Sequence, residues 1–433
     1  MIGAGISGLA AAWRLRALGW TVEVLEAGDT AGGRMATRRL MNGIADLGAQ
    51  FGSRGYHRLK QLSRAAGLAG PCPAASPDAG LWVDGALHHF APAAPWRLAW
   101  SGALSPMGWL RLGAGHLAFA RRYRTRALAD PTAWVDLDAH PARPWGAAQF
   151  GPQATERLLA PMVAGLFFDD LNTAAAALPA ILWRFRLDDP RLRSFPGGNQ
   201  RLPQALADAL GCVRYRTEVT RVREATDEVT VTLANGRKER AAHVVLALPA
   251  PCARPLWDGR TEAERTLLAT PYTRTIVVAL GYPGGFTRPR VLARSYGVLM
   301  DATEPLLAAL SFESRKNPDR VDRGEILLVL LKPEAAAALE AAPDAEIQAQ
   351  VEHALHRVLG TSARATDAAV AHWRHAMPTT RPGRLAALQE YRASASPGRR
   401  VWLAGDGLAF PFSESAAEAG WQTAEALHRA VTG

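Results

Sequence analysis

Three glycines open the chain in the spacing G-x-G-x-x-G: Gly3, Gly5 and Gly8. Gly3 suits a tight turn, Gly5 lets backbone approach a pyrophosphate, and Gly8 lets a helix pack closely on a strand. Ile6 and Ser7 lead into a helical run through Leu9 to Leu18. The free N–H groups and partial positive charge at the start of such a helix favour phosphate. The β-rich run Thr21 to Leu25 closes on Glu26 and Ala27. A carboxylate about 20 residues past the glycines accepts hydrogen bonds from an adenosine ribose and repels a 2′-phosphate. The chemistry is dinucleotide binding, because an ordinary glycine-rich turn leaves the placed acid unexplained. A strand in such a unit averages about five or six residues, yet only Met1 and Ile2 precede Gly3. Residues upstream of Met1 are therefore expected in the natural protein.

A second set of residues suits the other end of a dinucleotide. Adjacent Gly32 and Gly33 permit close backbone approach, and Arg34 can make charge-assisted bonds to phosphate oxygens. Near the C-terminus, Val401 to Ala404 reads as a buried strand, followed by Gly405-Asp406, a loop, and a helix from about Ser413. With GGRMATRR at 32–39, DLGAQF at 46–51 and AGDG at 404–407, the sequence resembles the flavin amine oxidase superfamily. That superfamily includes protoporphyrinogen oxidases, carotenoid desaturases, monoamine and polyamine oxidases, and renalases. The resemblance spans nearly the whole chain. It implies an α/β fold in which a Rossmann-type FAD-binding domain is interleaved with an α+β substrate domain. It also implies that Gly32, Gly33 and Arg34 line the diphosphate and ribityl chain, and that Gly48, Ala49 and Gln50 lie along the isoalloxazine. Val219 would meet adenine through its backbone, and Gly405 and Asp406 would hold the ribityl–phosphate region. One stretch departs from the family pattern, reading Glu414-Ser415-Ala416 and Ala419-Gly420 in the last helix.

The pieces that must position these residues are scattered. Residues 1–55, 195–255 and 385–433 are expected to form the FAD-binding domain, and 56–194 with 256–384 the substrate domain. The middle piece predicts a helix within 195–210, alternating strands over 213–222 and 229–233, an Asn235-Gly236 turn, and a buried strand at 244–249. Thr275 to Leu280 and Ile326 to Leu331 read as sheet strands, and 343–359 as a surface helix. The proline-rich patch 71–94 reads as loop, and 150–170 as packing beside the substrate cavity.

The resemblance also bears on the bond oxidised. Amine oxidases of the superfamily flank the amine with two aromatic rings, and here only Phe410 and Phe412 could serve. No lysine occupies the place where those oxidases keep one beside the flavin, since that strand carries Arg274. Segment 295–320 resembles protoporphyrinogen oxidases and desaturases. A hydride-abstracting oxidoreductase for an apolar or aromatic small molecule is the first expectation, with O2 as electron acceptor. An amine or amino-acid oxidase, a renalase-like dihydronicotinamide oxidase and a non-catalytic flavin-binding partner protein are the alternatives. Gln50 and His372 are the candidate catalytic residues, and His375 and Arg374 could meet an anionic substrate.

The net charge of +10 is carried almost wholly by arginine, with lysine only at 60, 238, 316 and 332. No nucleic-acid module accompanies it. The tryptophan- and arginine-rich segment 95–126 could form a lip touching a membrane surface, or an ordinary helical cap. Cys72, Cys212 and Cys252 are scattered thiols that fit a reducing cytoplasm. Adjacent His88 and His89 point to opposite faces of a strand, so no metal site is expected.

Overall fold

The computed structural model describes residues 1–433 except 42, 69, 71, 92–101 and 190. A parallel sheet runs through the first residues of the chain. Val24–Leu25 pairs with Val213–Arg214, and Val244–Leu246 pairs with Val401–Leu403. Ile2 bridges both halves, to Leu25 on one side and Leu246 on the other. Ile2 donates to Val245 and accepts from Ala247, while Gly3 donates to Leu25. Two residues thus complete the ladder between strands far apart in sequence.

The helix Ile6–Ala17 buries Leu9, Ala10, Ala11 and Ala12 and packs along the last helix, Ser413–Thr432. Small residues decide how closely they cross, because a Cβ on Gly420 would strike the Ser7 carbonyl. Around this pair lies a core of Ile2, Leu9, Val24, Leu206, Val222, Leu246 and Leu403. The antiparallel meander 219–224, 229–233 and 238–241 closes one end of it. The alternating run expected over 213–222 is split at Arg216, whose φ of 51° turns the chain. Two helices expected in the substrate domain also join this core. Leu59 and Leu62 come from Arg58–Ala65, and Leu267 and Leu268 from Glu262–Leu268. Both helices follow the expected boundaries at 55 and 255 in sequence yet pack into this core.

A second sheet has strand order 367–373, 275–282, 325–331, 307–312, 295–300, 78–83, 86–90. It is antiparallel except where 295–300 runs parallel to 78–83. Strand Thr275–Tyr282 is buried on both faces, which is why it reads as one continuous apolar run. Val278 and Leu280 face Ile347, Val351 and Leu355 of helix Asp344–Leu359, while Val277 and Ala279 face Leu40, Ala45 and Leu47. The loop expected at 71–94 is corrected over its described part. Asp78–Val83 and Ala86–Phe90 form a hairpin, with Asp84 and Gly85 at φ of 51° and 81°. Asp-Gly is the residue pair such a two-residue turn demands; residues 71 and 92–94 lie outside the described residues.

Helices Pro106–Tyr123, Ala142–Phe150, Ala160–Phe167 and Ala177–Asp188 form a cap around Phe119, Trp134, Phe150 and Trp183. Among the described residues no helix is long and apolar enough to cross a membrane.

A closed charge quartet fixes the hairpin 37–46 to the second sheet. Asp46, Glu313, Lys316 and Arg320 are all fully buried. Arg320 lies 2.8 Å from Asp46 and 3.7 Å from Glu313, and Lys316 lies 3.5 Å and 3.3 Å from the same two. Burial works against ionising Asp46, but Lys316 and Arg320 override it and hold the carboxyl below its usual range. Burial pushes Glu313 up. Removing one member strands a buried charge, which costs about 3–5 kcal/mol. Lys316→Met is expected to lower urea-unfolding stability by that order, and adding Glu313→Leu should restore part of it. If the two losses simply add in the double variant, the coupling does not exist.

Candidate functional site

The glycine loop meets its acid directly. Glu26 accepts from Ala4 N at 2.7 Å with one carboxylate oxygen and from Gly28 N at 2.8 Å with the other. Ala27, between them, is exposed. Each oxygen retains a lone pair, so the carboxylate can also accept from a sugar hydroxyl. The helix Ile6–Ala17 starts from Gly5 with no side-chain cap. Ile6, Ser7 and Gly8 lie in its first turn, where amides lack intrahelical partners. A Cβ on Gly5 would meet nothing within 4 Å, which marks open space over the loop. Buried Val219 starts its strand two residues after Thr217, whose N–H donates to Glu26 O at 2.8 Å.

The second set converges on the same loop. Gly32 N donates to Ala4 O at 3.0 Å, and a Cβ on Gly33 would lie 3.7 Å from Gly5 Cα. Ala49 N donates to Arg34 O at 2.7 Å, and a Cβ on Gly48 would collide with that same carbonyl. Ser7 Oγ accepts from Gly405 N at 2.9 Å. Arg34 Nη1 lies 2.5 Å from Asp406 Oδ2 and also donates to the carbonyls of Ala376 at 3.0 Å and His375 at 3.3 Å. Tyr272 completes the group, donating to Asp406 Oδ1 at 2.7 Å beneath the Arg34 guanidinium. Burial, and then Asp406, pushes the Tyr272 hydroxyl well above its ordinary pKa. Tyr272 therefore acts as a fixed donor. Gln50 accepts from Ser311 Oγ at 3.4 Å, and its Nε2 is buried with no partner among the described residues.

Aromatic rings form two groups. Phe412 stacks on Tyr56 at 5.9 Å and meets Phe185 edge-on at 5.0 Å; Phe51, next to Gln50, meets Tyr296 at 5.6 Å. Phe410, expected beside Phe412 around a substrate, is instead a fully buried member of the helical core. Tyr56, Tyr272 and Tyr296 escape sequence reasoning because each acts through partners distant in sequence. His372 is also corrected. Strand alternation turns Trp373 inward, where its indole donates to Leu47 O at 2.6 Å, and leaves His372 exposed 3.6 Å from Asp344. Arg274 and Arg374 both pair with Glu340. His375 stays near the group through its carbonyl bond to Arg34 and edge-on contact with Tyr272. Burial, and then nearby Arg34, lower its pKa.

The family model described as flavin containing amine oxidoreductase matches residues 6–428. The chain belongs to that family. It is a flavin-dependent oxidoreductase. Coproporphyrinogen III oxidase of Mycobacterium tuberculosis is 28% identical over 96% of this chain and 95% of its own. The flavin-dependent L-tryptophan oxidase RebO of Lentzea aerocolonigenes is 29% identical, over 59% of each chain. Among solved structures, one described as a protoporphyrinogen oxidase from Exiguobacterium sp. 255-15 superposes with a TM-score of 0.79 at 18% identity, covering 99% and 98% of the two chains. Cyclohexylamine oxidase from Brevibacterium oxydans gives 0.74 at 22%, with the same coverage. These superpositions establish the α/β fold of flavin oxidoreductases for the chain. The residues present fit a flavin, with an open space at Gly5, an uncapped helix start and an orphaned donor on Gln50 in one connected region.

Glu26→Ala is expected to lower flavin affinity about tenfold or more, the scale of a lost hydrogen bond to a charged group. The flavin-to-protein ratio of the purified variant measures this, and unchanged occupancy would remove Glu26 from the site.

Proposed function

We propose that the chain is an FAD-dependent oxidase that abstracts hydride from a C–H bond of a largely apolar, ring-containing substrate of the porphyrinogen type. O2 is the electron acceptor in this reading. The observation that carries it is two groups of aromatic rings, Phe51 with Tyr296 next to Gln50 in sequence, and Phe185 with Tyr56 and Phe412 just ahead of the last helix. The full-length likeness to a coproporphyrinogen III oxidase supports the same substrate class.

Residues 1–55, 195–255 and 385–433 would hold FAD, extended by the helices 58–65 and 262–268. Gly3, Gly5, Ile6, Ser7 and Gly8 would meet the diphosphate, Glu26 and Ala27 the adenosine ribose, and Val219 the adenine. Gly32, Gly33, Arg34, Gly405 and Asp406 would line the ribityl–phosphate region, and Gly48, Ala49 and Gln50 the ring system. When bound, FAD supplies the two-electron acceptor, so the protein need not provide one. The chain's own contribution is positional. Arg34, Asp406 and Tyr272 hold the loops together, the aromatic rings orient flat apolar rings, and Gln50 Nε2 offers a donor to the reacting region. No lysine takes part in this group, which disfavours a simple amine.

Anaerobic mixing of the holoprotein with coproporphyrinogen III, protoporphyrinogen IX, amines, L-amino acids and dihydronicotinamides tests the reading. Porphyrinogens are expected to bleach the flavin, with peroxide formed once air is admitted. Bleaching by amines or amino acids alone would replace this function with the alternative.

An exposed face on helix Pro106–Tyr123 supports a second element. Met107, Leu110 and Leu117 are 56%, 67% and 60% exposed, and Arg121 and Arg122 end the helix. We propose that this face rests on an anionic lipid surface; residues 95–101 of the same sequence segment lie outside the described residues. Salt-sensitive sedimentation with phosphatidylglycerol vesicles, but not phosphatidylcholine vesicles, is expected. The pair Leu110→Glu and Leu117→Glu should abolish it, and equal binding by both vesicle types would refute the proposal.

A further inference from the structure

The antiparallel meander that closes the first core has an outer face of its own. Its strands Val219–Glu224, Val229–Leu233 and Lys238–Ala241 turn Val219, Val222, Val229, Val231 and Leu233 into that core. Val219 and Val222 are three positions apart, a spacing that a regular strand sends to opposite faces. The register shifts between Val219 and Arg221. This bulge leaves Thr220 and Arg221 both exposed.

Alternation then fills the outer face with one sign of charge. Arg221 stands opposite Thr232, which stands opposite Lys238; Arg223 stands opposite Thr230, which stands opposite Arg240. All four cations are exposed, and the two threonines between them are half-buried. Neighbouring strands lie about 4.8 Å apart, and alternate residues of one strand about 7 Å apart. Two cationic walls about 10 Å apart therefore flank a low floor of hydroxyls.

The acids of the same stretch leave these walls largely uncompensated. Glu239 shares the inner face with Val231 and meets Arg214 at 2.8 Å. Glu224 lies 3.3 Å from Arg260, and Asp227 3.8 Å from Arg400. Glu228 reaches one wall, 3.4 Å from Arg240. Arg221, Arg223 and Lys238 make no side-chain hydrogen bond or ion pair among the described residues. Exposed arginines elsewhere do pair, as Arg265 with Glu262 at 3.0 Å and Arg374 with Glu340 at 2.5 Å.

We propose that this face docks an extended acidic segment of a partner protein. Charge complementarity selects an anion, because like charges within about one Debye length, roughly 10 Å, add their fields. The shape selects an extended polypeptide, whose same-face side chains repeat at about 7 Å, the step along each wall. Grooves for single-stranded nucleic acid add aromatic rings on which bases stack, and the outward residues here include none. A lipid surface would call for apolar side chains, but the large exposed ones, Met107, Leu110, Leu117, Tyr215 and Val431, all lie outside 219–241. The proposal is independent of the reaction proposed above, since none of these cations belongs to the flavin or substrate region.

Fluorescence anisotropy of a labelled peptide of alternating glutamate and serine, added to the flavin-loaded protein at low salt, tests it. Arg221→Gln with Lys238→Gln is expected to weaken binding about fivefold or more, the scale of two exposed ion pairs. Its affinity should also depend less steeply on salt than the parent's. Arg64→Gln with Arg364→Gln removes the same charge from other exposed positions and should leave the affinity almost unchanged. Flavin content and thermal midpoint are expected to stay at the parent's values, as for most surface substitutions. Arg223→Gln with Arg240→Gln removes the second row of cations and gives an independent reading should the first variant fold poorly. No binding by the parent, an undiminished affinity in both row variants, or an equal loss in the Arg64–Arg364 variant would each overturn the proposal. So would tighter binding of oligothymidylate, or of phosphatidylglycerol vesicles, that the row variants alone lose, because the face would then serve another kind of anion.

Discussion

The contact between Arg34 and Asp406 joins residues 372 positions apart in the chain. A half-buried guanidinium and a buried carboxylate satisfy each other here, so this pair helps fix where both ends of the sequence lie. Arg34 brings with it Gly32 and Gly33, which meet the opening glycine loop. Asp406 brings Gly405, whose amide bonds Ser7 in that same loop. Tyr272 adds a residue from the start of the second sheet. One ion pair with one phenol therefore joins three separate stretches of chain around the space above Gly5. The carbonyls of His375 and Ala376 take the remaining reach of Arg34, which ties the edge strand 367–373 to the same point.

Features governed by local backbone rules were legible in the sequence. The glycine loop, Glu26, the Gly32–Arg34 turn and the strand–Gly-Asp–helix unit at 401–413 depend on short-range geometry, and the structure brings them together. Strands 275–282 and 325–331 were legible because burial on both faces demands unbroken apolar runs. The hairpin at Asp84-Gly85 had a clear signal as well, obscured by the prolines on either side of it. Arg216 had none. Its positive φ is imposed from outside, where its own amide bonds Gly28 O and that of Thr217 bonds Glu26 O.

Residues whose role lies in tertiary contact stayed hidden. Tyr56, Tyr272 and Tyr296 carry no local pattern, and each is defined by a partner on another element. His372 misled for a related reason. It neighbours residues of the site in sequence, but alternation along a strand sends adjacent side chains to opposite faces. Trp373 took the inner position. Helices 58–65 and 262–268 likewise join the first core by packing and not by order in the chain.

Glu414 ties the last helix to the start of another. A carboxylate buried in the last helix would be costly alone, and burial does push its pKa up. It accepts instead from the amides of His57 at 2.6 Å, Arg58 at 2.6 Å and Leu59 at 2.9 Å, the open start of helix Arg58–Ala65. Those N–H groups have no intrahelical partner, and the helix dipole favours an anion there. Each side thus supplies what the other lacks. The same contact holds Tyr56 beside Phe412, two residues before Glu414, and so sets that stacked pair. The last helix is thereby linked to the shape of the region where a substrate would lie, through backbone donors that no side-chain motif records.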